Sequence, residues 1–310
     1  MRKILTVAAA LLVSAVCVCA QTTREEFIER YNLLVSKLGG AGVGIETLLD
    51  KWEEAYPDDL DMLSGRFVYY YTKSKSDRIE PKGGKATFMG AKPALTLKDS
   101  TGADINYFQE SFFDDELFGE AVKVMDRIIR TYPQRLDMRF TKITALMNYE
   151  KESPDMALSE LMSLVDLNYT EHPQWEYPGI DVVDNEVFKA SVQEYCYTFF
   201  RLGVPEGYEA FRKSAEKMLS FNRDDVLFLN DLGSYYLVAR KDSKSALKYY
   251  NKVLKKAPDD ITAIRNCVVL ARNAKDVKLE KKYLPMLIKY GETEADRESA
   301  RVRLDYLNKK

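Results

Sequence analysis

The chain has a single histidine, His172, in 310 residues, and only four cysteines. Two of the cysteines, Cys17 and Cys19, sit in an apolar N-terminal segment, which leaves Cys196 and Cys267 for the rest. One histidine and two distant cysteines give no zinc-ligand spacing, so no metal is expected. There is no Gly-x-Ser-x-Gly elbow and no glycine-rich loop ending in Lys-Ser or Lys-Thr. The run Gly39-Gly40-Ala41-Gly42-Val43-Gly44 superficially matches a dinucleotide fingerprint, but it follows a helical pattern where a strand is required. It reads as a flexible turn between helices. Charge of one sign is also missing: 46 Lys and Arg stand against 48 Asp and Glu, and no basic block exceeds three residues. Nucleic acid is therefore not an expected partner. No apolar run of spanning length follows residue 20, so no integral membrane span is expected in the mature chain.

What is present begins with a targeting segment. Met1-Arg2-Lys3 is a short basic start, and Ile4 to Val18 is almost continuously apolar but too short for a membrane span. Val18-Cys19-Ala20 supplies small residues before Gln21. Residues 1–20 therefore read as a signal peptide cleaved after Ala20, against the alternative of a buried N-terminal helix. Lipid attachment at Cys17 or Cys19 is disfavoured, because Val16 and Val18 stand where a small residue is needed. The expected location is export to the periplasm or outer membrane. An exported chain can pair its cysteines, but Cys196 and Cys267 fall two helix pairs apart, beyond disulfide reach, and read as small buried hydrophobes.

One junction recurs along the chain. Pro57-Asp58-Asp59-Leu60, Pro133-Gln134-Arg135-Leu136, Arg223-Asp224-Asp225-Val226 and Pro258-Asp259-Asp260-Ile261 each end one helical pattern and begin another. Pro stops the outgoing helix, and Asp accepts from the free N–H groups of the incoming one. Asp114-Asp115-Glu116 likewise reads as a helix start complementing the macrodipole, with an acidic catalytic or calcium site as the other reading. This register gives six helix pairs: 23–38 with 43–56, 58–73 with 114–132, 136–150 with 154–167, 184–202 with 206–221, 225–240 with 243–256, and 260–273 with 277–290. A polar helix at 294–307 closes the end, and Pro285 is expected to kink or shorten the last pair. Ala121, Met125, Ile128 and Pro133 share their spacing with Ala246, Tyr250, Val253 and Pro258, an apolar face with one small residue for close approach.

The strongest motif is Leu229-x2-Leu232-Gly233-x2-Tyr236 followed by Ala246-x3-Tyr250-x2-Val253-x4-Pro258. It resembles the tetratricopeptide repeat, a helix pair that stacks on copies of itself. With the leader, the whole resembles exported tetratricopeptide-repeat proteins of Gram-negative Bacteroidetes. The resemblance implies an all-α, tetratricopeptide-like helical-repeat solenoid over 21–310 whose opening helices line a concave binding surface. Under that carry-over Asn230, Asp231 and Ser234, with Arg265 and Asn266 from the next pair, face the groove. Their chemistry departs from the Lys/Asn/Arg set that clamps a terminal carboxylate, so that ligand is not expected.

Two insertions break the array, at 74–113 and 168–183. The first holds Ala94-Leu95-Thr96-Leu97 and Asp104-Ile105-Asn106-Tyr107-Phe108 around a turn, and is expected to form a small β-hairpin. In its turn, Asp99-Ser100-Thr101 resembles the O-glycosylation acceptor of exported Bacteroidetes proteins, with Ser100 as acceptor. The second holds Trp175 and Tyr177. The expected function is a non-enzymatic protein- or peptide-binding scaffold without cofactor. The alternative is a surface glycan-binding protein whose Trp175 and Tyr177 stack on sugar rings. Exposure separates them: a platform needs both rings open, while an anchor on the solenoid needs Trp175 buried.

Overall fold

A computed structural model describes residues 22–309. The expected signal peptide, its cleavage point, Cys17 and Cys19 lie outside the described residues. Among the described residues thirteen helices form six successive pairs and a closing helix: α1 (Arg24–Leu38) with α2 (Ile45–Ala55), α3 (Leu60–Ser74) with α4 (Asp115–Thr131), α5 (Leu136–Glu150) with α6 (Asp155–Glu171), α7 (Asn185–Arg201) with α8 (Pro205–Phe221), α9 (Val226–Val238) with α10 (Ser243–Lys256), α11 (Ile261–Asn273) with α12 (Val277–Tyr290), then α13 (Glu294–Asn308). Each opening helix packs on its closing partner, and α1 also meets α3, α6 meets α8 and α9 meets α11. The fold is an all-α, tetratricopeptide-like solenoid.

The caps follow the junction chemistry. Asp59, Asp114, Asp184, Asp225, Asp260 and Asp276 each accept from a backbone N–H in the first turn of the helix they start. Thr23 and Thr293 form capping boxes with Glu26 and Asp296. α2, α6 and α8 start without a side-chain cap from their N-cap residue, and so does α5, whose N-cap is Arg135. There the second insertion supplies the acceptor: the Leu136 N–H donates to the Glu176 carbonyl at 3.0 Å, and the Glu176 N–H to the Gln134 carbonyl at 2.8 Å. A helix start cannot leave its N–H groups unpaired, and here a distant loop satisfies one.

The repeat positions form the core. Ala121, Met125 and Ile128, and their counterparts Ala246, Tyr250 and Val253, are buried. Cys196 and Cys267 are free and buried, as expected of small hydrophobes. Pro285 does not shorten α12, which runs on to Tyr290. Tyr283 and Leu284 beside it are buried and hold the helix against α11 and α13. The last helix is locked by charge as well. Glu280, 1% exposed, accepts from Arg303 Nε at 2.8 Å and Nη2 at 2.9 Å, and from Arg272 at 3.2 Å. Such a bidentate pair satisfies a buried carboxylate.

The first insertion is more than a hairpin. β1 (Lys75–Pro81), β2 (Leu95–Lys98) and β3 (Asp104–Phe113) form an antiparallel sheet in the order β1-β3-β2. β1 continues directly from α3, and β3 leads within two residues into α4, so the helix pair projects outward as a ribbon paired from Lys75–Phe113 to Pro81–Tyr107. β1 carries no apolar alternation, and it pairs because the packed helices deliver both chains side by side. The ribbon folds back on the solenoid. Glu110 bonds Lys151 at the end of α5 and Lys82 within the insertion, both at 2.7 Å, and the Lys151 ammonium lies 4.1 Å from the Phe112 ring. Phe113 belongs to the solenoid, packing against Phe118 at 5.4 Å and Tyr149 at 5.8 Å. In the connection between β1 and β2, a Cβ on Gly90 would fall 2.5 Å from the Arg201 carbonyl oxygen at the end of α7. The insertion thus reaches from the second pair across the third to the fourth.

Gly233 marks a close approach of α9 to α10. A Cβ there would lie 2.4 Å from Tyr250 Cε1 and 2.7 Å from Cδ1, on a ring that is wholly buried. Replacing a helical glycine by alanine ordinarily stabilises by about 1 kcal/mol. Here overpacking, typically costing about 1–3 kcal/mol, should outweigh that gain. Gly233→Ala is expected to lower the unfolding free energy, and Gly233→Leu to lower it further, as read by urea titration. A stabilised Gly233→Ala protein would show that the Tyr250 ring can move.

Candidate functional site

Three adjoining hollows, of about 380, 370 and 320 Å³, run along the opening helices α3, α5 and α7. The first two share Phe140, Thr144 and Asn148 of α5, Tyr195 of α7 and Tyr177 of the second insertion. Phe67 and Tyr71 of α3 extend the wall on one side. Met147, Asn148 and Thr198 continue it to Phe88 and Met89 of the first insertion on the other. The result is one groove, floored by opening helices and bounded by both insertions. Residues spaced three and four apart on α5, Phe140, Thr144, Met147 and Asn148, lie on one helical face, which is why one helix contributes so much of the floor.

The floor is aromatic and its polar groups are tied together. Phe140 and Tyr195 stack at 5.0 Å with an interplanar angle of 8°. The Tyr195 hydroxyl donates to the Phe140 carbonyl at 2.9 Å and lies 2.8 Å from Thr144 Oγ1. Burial raises the Tyr195 pKa, so its phenol stays neutral. The Asn148 amide donates to the Tyr71 hydroxyl at 3.0 Å. Asp137, on the rim, is held by Arg135 through two bonds at 2.7 and 2.8 Å.

The second insertion splits the roles of its two aromatic residues. Trp175 is 8% exposed, its indole N–H donates to Asn168 Oδ1 at 2.9 Å, and the Arg139 guanidinium lies 5.4 Å from its ring. It is the anchor of the loop. The sugar-platform reading, which needs both rings open, fails at Trp175 because that ring is spent on packing. Tyr177, two residues on, is half-buried and faces the groove. His172 is the exposed cap of α6 in a left-handed conformation with φ of 48°. Ser100 is exposed in the β2–β3 turn, where Asp99 accepts from Thr101 and Ala103.

The residues that the repeat register assigns to a groove lie elsewhere, on α9 and α11, and act as struts. Asn230 and Asp231 are buried and do not face an open surface. Asn230 donates to both carboxylate oxygens of Asp260, the cap of α11, at 3.1 Å. Asp231 accepts from Gln193 of α7 at 2.8 Å. Ser234 lies 3.3 Å from the Tyr250 hydroxyl, which Asn266 also bonds. Arg265 reaches Asp296 of α13 at 2.7 Å and Glu292 at 3.0 Å. On these opening helices the inner polar positions join neighbours. The groove residues on α5 and α7 escape sequence reasoning because their repeats lack the Leu-Gly signature. Their only signal is the cluster Phe140, Thr144, Asn148 at helical spacing.

Among the described residues no group of three histidine, cysteine or acidic side chains is placed to hold a metal, and no helix is long and apolar enough to cross a membrane. No protein-family model matches the chain, and no curated protein matches it. Among solved structures, one described as "Functional Characterization of Pseudomonas Aeruginosa pilF" aligns with 90% of this chain and 97% of that chain, at 11% identity and a TM-score of 0.36. So loose a superposition carries no argument. The fold assignment rests on the helices and their packing.

Two measurements follow from these placements. In a Trp52→Phe background, Trp175 emission should be blue-shifted, resist acrylamide quenching, and stay unchanged on adding free sugars. Strong quenching would restore the platform reading. The second concerns Asp231, which burial pushes up to about 7, with Asp225 adding and the bond from Gln193 opposing. Its contribution to stability is complete below the unfolded carboxylate value of about 4. It falls as pH rises and is lost once pH passes about 7, because the unfolded chain releases this proton first. Asp231→Asn should therefore gain stability relative to the parent between pH 4 and pH 7, seen as a diverging pair of urea midpoints. Parallel curves would place the proton elsewhere.

Proposed function

We propose that this chain is a non-enzymatic scaffold that binds a segment of another protein, or a peptide, in the groove of α3, α5 and α7. The reading includes export: the N-terminal sequence supports action in the periplasm or at the outer membrane, with Ser100 as an O-glycan acceptor. One observation carries the binding role. Three adjoining hollows line up on successive opening helices, and both long insertions meet that line. An extended chain fits a trough of this form better than a small molecule does, since small ligands favour one enclosed cavity. The groove residues are held by one another before any ligand arrives, which lowers the ordering cost of binding.

The test uses peptides selected against the full chain from a random display library. Thr144→Arg and Asn148→Arg place bulk and charge at exposed groove positions. Each is expected to weaken the selected peptides about tenfold or more, equivalent to ~1.4 kcal/mol, without lowering the melting temperature. Arg265→Ala should leave the affinity unchanged. The reverse pattern would move the site to α9 and α11.

A further inference from the structure

Most hydroxyl donors in the hollow between α5 and α7 are already committed. Tyr195 donates to the Phe140 carbonyl, which makes Thr144 the donor in its 2.8 Å contact with Tyr195. Ser191 donates to the Val187 carbonyl at 2.9 Å and Thr198 to the Glu194 carbonyl at 2.8 Å. Asn148 gives one amide N–H to Tyr71 and keeps its second N–H and its carbonyl oxygen. A hydroxyl has one proton and two lone pairs, so the capacity left over at these four hydroxyls is for accepting. The charges point the same way. Asp137 and Glu110, at the two ends of the groove, are paired with Arg135 and with Lys82 and Lys151. Glu194, exposed on the α7 wall between them, has no ion-pair partner among the described residues. Arg201, further along α7, is turned to Thr198 at 3.1 Å.

We propose that the hollow between α5 and α7 is a subsite for a cationic side chain, a lysine or arginine of an extended partner peptide. The inference rests on the scaffold reading and names the chemistry of what it binds. Lysine carries three donors and arginine five, and neither needs a donor from the site. The rings of Tyr195 and Tyr177 line the hollow, and an aromatic face attracts a cation while its alkyl stem lies on the apolar part. Glu194 supplies the counter-charge. A phosphate or a carboxylate terminus would meet Glu194 with like charge, beside hydroxyls of Tyr195, Thr144, Ser191 and Thr198 whose protons are already given elsewhere.

The experiment selects random heptapeptides on the full chain and, in parallel, on the Glu194→Gln variant. Glu194 is exposed, so the variant should melt with the parent. Lysine or arginine should be enriched at one peptide position on the parent and lose that enrichment on Glu194→Gln. In synthetic copies of the selected peptides, replacing that residue by norleucine should weaken binding to the parent about tenfold and to the variant less than about threefold. Tyr177→Leu should also reduce the preference for the cation. Peptides selected through the groove with no cationic enrichment, or with equal enrichment on both proteins, would overturn the subsite and leave the scaffold standing. A library that yields no peptide sensitive to Thr144→Arg would overturn both.

Discussion

A pair of helices cannot bury its apolar stripe by itself; it must lay that stripe on the next pair. The rest of the structure depends on this constraint. It explains why small residues recur where helices meet, why Gly233 leaves room for the Tyr250 ring, and why the core runs the length of the array with no single centre. It also explains the final helix. α13 lies on α12, and the buried Glu280 with Arg303 and Arg272 fixes the docking through charge. Contacts in such an array are short-range in sequence, so stability is a sum of neighbouring interfaces.

Much of this architecture was legible from residue spacing. Pro and Asp at recurring junctions mark where helices stop and start, because capping is a local matter of unpaired N–H groups. The Ala-x3-large-x2-apolar face on closing helices marks the core, because a 3.6-residue period is visible in one dimension. β1 was not legible. Its residues Lys75 to Pro81 lack alternation, and they form a strand only because α3 and α4 bring the two chain ends together. Pairing imposed by a tertiary neighbour leaves no pattern in the strand itself.

The candidate site divides in the same way. That opening helices would floor a groove followed from the repeat. Which repeats would do so did not follow, because an inner polar residue reads alike whether it meets solvent or a neighbouring helix. Asn230, Asp231 and Arg265 found partners in Asp260, Gln193 and Asp296, and no spacing rule anticipates those partners. Trp175 and Tyr177 looked like a pair. The structure separates them by depth: one ring fixes the loop, and that fixing aims the other.

The first insertion has a mechanical consequence. A stack of helix pairs is a spring, free to open and close by small rotations at each interface. The ribbon from the second pair, pinned at Lys151 and abutting the carbonyl of Arg201 through Gly90, ties coils that are otherwise coupled only through the pair between them. A strap across two coils sets their pitch. Elastic breathing should then be smallest under the strap and largest toward the free ends, so the trough at α5 and α7 keeps its width while the remainder of the array flexes around it.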